Sequence, residues 1–79
     1  MNFDDKITTL RELEFAVFCI ENIARKLGAD PVRVYTTLTE KSDILNGYIV
    51  PEYEMLHTQS REYIIDDILK LMSERGVEL

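Results

Sequence analysis

Apolar residues recur along the first third of the chain at spacings of three and four. Leu10, Leu13, Val17, Ile20, Ala24 and Leu27 fall on one side of a helix expected over 4–27. Phe15, Ala16, Phe18, Cys19 and Ile23 crowd around that stripe, so the middle of the helix is apolar nearly all round. A helix of that kind needs cover on more than one side. The cover can come from the rest of the chain, from a second copy, or from another protein.

Punctuation along the rest of the chain predicts further helices. Asp4 or Asp5 would start the first helix, Arg25 and Lys26 suit its last turn, and Gly28 suits its stop. Asp30 followed by Pro31 reads as a cap and a first helical position, giving a second helix to Thr39 with Val34 and Leu38 inward. Its β-branched residues are poor helix formers, so packing must hold it. Ser42 is expected to cap a short turn over 43–45, with Asn46-Gly47 ending it. Tyr48-Ile49-Val50 is expected to run extended, because Pro51 disfavours helix at the residue before it. Pro51 opens a short helix to Leu56 or His57, and Thr58 or Ser60 caps a last helix that ends at Arg75 and Gly76. Ile64, Ile68, Leu71 and Met72 form its inner face, widened by Ile65 and Leu69, with Asp66 and Lys70 spaced as an ion pair on the wet side. The expected fold is a single all-α domain over 1–79, a small bundle in which two long helices flank two or three short ones.

Size and charge narrow the function. A chain of 79 residues should expose roughly 4,900 Å² when folded, which supports only a marginal core. A net charge of −6 repels nucleic-acid backbones and anionic lipid; it would favour a basic protein partner, and it is equally a common route to plain solubility. The longest apolar run, Phe15 to Ile20, is far short of a membrane span. No signal peptide is visible at Met1-Asn2-Phe3-Asp4-Asp5, so the cytoplasm is the expected location. The lone Cys19 lies in an apolar stretch without basic neighbours and reads as a core residue.

Candidate chemistry is thin. Glu54 and His57 have the Glu-x-x-His spacing of di-iron bundles, but those sites need two such motifs and two more carboxylates, and His57 is the one histidine. Asp66 and Asp67 point about 100° apart on a helix. With three glycines there is no phosphate loop. No metal, cofactor or catalytic residue is therefore expected, and the chain reads as non-enzymatic. The segment from Ile23 to Val34 resembles a helix-turn-helix, with Ala24 at the close approach and Gly28 in the turn. That alternative reading makes a DNA-binding regulator and gives base contacts to Arg33, Thr36 and Thr37. The aromatics exceed the evident needs of the core, and tyrosine is enriched at interfaces. Phe15, Phe18, Tyr35 and Tyr53 are the expected interaction residues, serving a protein partner of unknown identity or a homodimer.

Three blocks carry a resemblance over roughly residues 10 to 75. They are Leu13-Glu14-Phe15-Ala16-Val17-Phe18-Cys19-Ile20-Glu21-Asn22-Ile23-Ala24, Leu38-Thr39-Glu40-Lys41-Ser42-Asp43-Ile44-Leu45 and Leu56-His57-Thr58-Gln59. They resemble short bacterial proteins catalogued as domain of unknown function family 3791. The resemblance implies no catalytic residue. It implies an accessory or antitoxin-like role beside an ADP-ribosyltransferase-like toxin, because family members are often encoded next to such a protein.

Overall fold

The computed structural model describes residues 9–79. The expected start of the first helix at Asp4 or Asp5 lies outside them. The helix observed, α1, spans Leu10–Leu27 and begins where extended Thr9 turns its hydroxyl to accept the Glu12 N–H at 3.1 Å. That bond satisfies one of the amides a helix start leaves without a partner. α2 spans Pro31–Thr39, capped by the Asp30 carboxylate at 2.8 Å from the Val32 N–H, as the Asp-Pro pair predicts. After a helical turn at 45–49 come α3 (Tyr53–Leu56) and α4 (Arg61–Glu74), the latter capped by Ser60.

Two helix ends close the same way. Gly28 and Gly76 adopt φ of 64° and 67°, the left-handed region open to glycine. Beyond them the Ala29 N–H reaches the Ala24 carbonyl at 2.9 Å, and the Val77 N–H reaches Met72 at 2.8 Å. These are six-to-one closures that reverse the chain and fold Ala29 and Val77 onto the core.

The fold is all-α, with no strand among the described residues. α1 packs on α2 and on α4, and α2 also touches the turn at 45–49. The inward side of α1 differs from the expected stripe. Phe15, Ala16, Cys19, Ile20, Ile23 and Ala24 are buried, while Leu10, Val17 and Leu27 are exposed. At 100° per residue the buried arc lies roughly a quarter turn from the expected one. The physical reason is that two helices cover α1 at once. The arc that both can reach is set by small Ala16, Cys19 and Ala24, which let neighbours approach, rather than by the largest residues. Much of the expected need for outside cover is met within the chain. Its exposed area, 4990 Å², equals that of an ordinary monomer of its size.

The middle of the chain corrects two expectations. Asn46-Gly47 does not end a turn, and Tyr48-Ile49-Val50 is not extended. Leu45–Ile49 forms one wide π turn in which the Val50 N–H reaches back five residues to the Leu45 carbonyl at 3.0 Å, with Val50 still helical beside Pro51. Ile44, Leu45 and Ile49 are fully buried and Val50 is 7% exposed. Each such burial contributes about 1.5–3 kcal/mol. A mid-helix glycine costs only about 1 kcal/mol, so burial overrides it together with the pre-proline bias.

α4 buries Ile64, Ile65, Ile68 and Met72, as its pattern predicts, with Leu69 and Leu71 half-buried. Its polar side forms cross-ties. Asp66 accepts from Lys26 of α1 at 2.7 Å, so its partner comes from another helix instead of from Lys70. Asp67 accepts the Tyr48 hydroxyl at 2.5 Å, and Arg75 pairs with Asp43 at 3.1 Å. The exposed ion pairs contribute at most about 1 kcal/mol each.

Gly47 is held by proximity. A Cβ there would lie 2.6 Å from Asp43 Oδ2 and 2.9 Å from its Cγ. Gly47→Ala should push the exposed Asp43 carboxylate aside and loosen its pair with Arg75. That loss, at most about 1 kcal/mol, is offset by the helix preference of alanine over glycine, about 1 kcal/mol, so the urea midpoint should change little. Ile68→Ala, at a fully buried position, should cost about 2–5 kcal/mol by the same measurement.

Candidate functional site

Among the openings of the described surface, three are lined in part by large apolar side chains. The first lies between the start of α1 and α3. It is a groove of about 520 Å³ whose apolar walls are Leu10 and Tyr53 and whose rim carries Glu12, Glu14, Glu54 and Arg11. Leu10 is 70% exposed, and Met55, next to the groove residue Glu54, is 69% exposed. The second opening, of about 510 Å³, lies between Leu27 and the end of α4, lined by Leu69, Met72, Val77 and Leu79. The third is a cleft of about 240 Å³ with Arg25, Lys26 and Arg61 around Ile65. Lys26 is already engaged there by Asp66.

An aromatic chain fixes the first groove. Pro51 and the turn after it place Tyr53 at the start of α3, where its ring meets Phe15 of α1 near-perpendicular at 5.3 Å. His57, one turn on, stacks on Tyr53 at 4.5 Å, and Phe18 stacks on the other side of Phe15 at 6.1 Å. Contacts of this geometry contribute about 0.5–1.5 kcal/mol each beyond burial. His57 is thus placed by its neighbour ring, and no group of three histidine, cysteine or acidic residues comes together among the described residues.

The structure brings three of the expected interaction residues, Phe15, Phe18 and Tyr53, into one aromatic cluster, and places Tyr35 on α2. Phe15 is 8% exposed and lies against Tyr53, so it supplies packing and almost no contact area. Phe18, Tyr35 and Tyr53 are half-buried against the core. Of the expected DNA-contact residues, Thr37 is fully buried and its hydroxyl donates to the Arg33 carbonyl at 2.9 Å, which removes it from any surface. It lies one turn on from buried Val34 and next to buried Leu38, on the flank of α2 that meets the core. Thr36 is half-buried, and exposed Arg33 donates to the Leu79 carbonyl oxygen at 3.0 Å. Leu10 and Met55, the most exposed large apolar residues, were not legible as site residues. Leu10 fits the expected core stripe, and Met55 belongs to no periodic pattern.

Two groups have displaced pKa values. Burial pushes the Cys19 thiol from its ordinary 9.0 up to about 12. The Tyr48 phenol also rises to about 12, first through its hydrogen bond to Asp67 and then through burial. Both stay protonated at neutral pH, so neither is poised as a nucleophile there.

The fold and its surface define a small all-α domain with open grooves between its helices. Residues 14–75 match the family described as Protein of unknown function (DUF3791), and the chain belongs to that family. No curated protein and no solved structure matches it. Among the described residues, no helix is long and apolar enough to cross a membrane.

A folded-state pKa raised above its ordinary value stabilises the fold fully below the ordinary value and is lost as pH rises through the folded one. For Cys19 that window runs from 9.0 to about 12, and for Tyr48 from 10.0 to about 12. Urea midpoints should fall progressively across it, with Cys19→Ala flattening the first part. At neutral pH the native thiol should resist a disulfide reagent and react at once on unfolding. Tyr48→Phe should cost about 1–2 kcal/mol in the same denaturation measurement.

Proposed function

We propose that this chain is a non-enzymatic protein-interaction domain of the cytoplasm, which works by presenting the Leu10 end of its bundle to another protein. The observation that carries the reading is the groove walled by Leu10 and Tyr53, in which Leu10 is left 70% exposed. Met55, next in sequence to the groove residue Glu54, is exposed as well. Exposed apolar area of this kind marks association surfaces when it adjoins a formed groove. The acidic charge keeps copies apart and draws basic partners. An accessory or antitoxin-like role beside a toxin encoded nearby is the form this activity takes in our reading, with the toxin as the partner. The helix-turn-helix alternative has less support, since Thr37 is buried, Arg33 is engaged, and the charge opposes DNA.

In its native host the tagged full chain should co-elute with one stoichiometric protein. Leu10→Asp combined with Met55→Asp should release that protein while leaving the helical circular dichroism unchanged. A wild-type chain that elutes alone, or a partner that the double variant holds equally well, overturns the reading. A salt-steep shift of upstream DNA, abolished by Arg33→Ala, would favour the alternative.

A further inference from the structure

We propose that the groove between α1 and α3 takes a basic segment of the partner, in which lysine or arginine residues flank one apolar anchor. This rests on the interaction reading above and specifies the chemistry of what docks. The groove alternates the two surfaces that a long cationic side chain needs. Leu10 and Tyr53 offer apolar wall, and Glu14 and Glu54 stand beside them as carboxylates. Lysine and arginine lay their aliphatic stems along apolar surface while the charged head seeks an acceptor. Leu10, left mostly in water, and the Tyr53 ring supply the area against which an apolar anchor is buried.

Charge complementarity selects this occupant over the others. The whole chain carries −6, so a second copy brings the same sign to the rim. The other openings lack the combination, including the one at Glu21 and Arg25, whose apolar lining is only Ala24, Ala29 and Pro31. The groove at Leu27 is mainly aliphatic, with Glu78 as its one charged lining residue, and the cleft at Arg25 is cationic, with Lys26 already paired. Exposed ion pairs contribute little affinity, so the anchor holds the segment while the carboxylates set its sign and speed its arrival.

The test uses an isotope-labelled full chain titrated with two synthetic helical peptides, one of leucine and lysine and one of leucine and glutamate. The lysine peptide should shift the amide signals of residues 10–14 and 53–57 saturably, and the glutamate peptide should not. Glu14→Lys with Glu54→Lys should weaken binding about tenfold. Glu40→Lys with Glu74→Lys, an equal change of charge elsewhere, should change it less than about twofold. Equal weakening by both pairs, or shifts spread over the surface, overturns the proposal as non-specific attraction. Contacts in the free protein that place residues 1–8, or a second copy, on Leu10 and Tyr53 overturn it as well. A native partner that docks at Leu10 through a segment without basic residues overturns this inference and leaves the interaction reading standing. A chain that elutes alone from its host removes the interaction reading itself.

Discussion

The structure depends on burying one broad apolar arc of α1. Phe15, Ala16, Cys19, Ile20, Ile23 and Ala24 span about half the circumference of that helix, more than a single neighbour can cover. The chain therefore has to reverse and bring both α2 and α4 against it. Gly28 makes the first reversal in the left-handed region that other residues resist. The wide turn at 45–49 then fills the space beside α2 with Leu45 and Ile49. Cys19 is part of this arc, which is why its thiol is held protonated and inert.

The same constraint decides what is left for function. Most of the middle of α1 is consumed by the core, and its largest exposed apolar side chains, Leu10 and Leu27, stand at its two ends. At one end Leu10 and Tyr53 of the short α3 wall a groove, with Leu10 left mostly in water. At the other, Leu27 and the reversed tail after Gly76 enclose a second groove. The aromatic chain Phe18, Phe15, Tyr53 and His57 runs from the core to the first groove and gives it a fixed wall. A rigid wall lowers the ordering cost when a partner binds, which suits the proposed docking. The polar ties of α4 are spent on internal fastening, to Lys26, Tyr48 and Asp43.

Residue patterns by themselves determined the all-α class, the cap at Asp30, the stops at Gly28 and Gly76, the inward Val34 and Leu38, and most of the inner face of α4, and narrowed the cap of α4 to Thr58 or Ser60, of which the structure uses Ser60. These are local matters, settled by side-chain-to-backbone bonds, by φ at glycine and by helical period. Tertiary structure alone decided three others. It chose which arc of α1 is buried, because the residues there are apolar nearly all round and only the positions of two neighbours break the tie. It kept Tyr48 to Val50 helical, because burying Ile44, Leu45, Ile49 and Val50 outweighs the local preferences of Gly47 and Pro51. It also set exposed Leu10 beside Tyr53, more than forty positions away along the chain, which no short-range pattern can join.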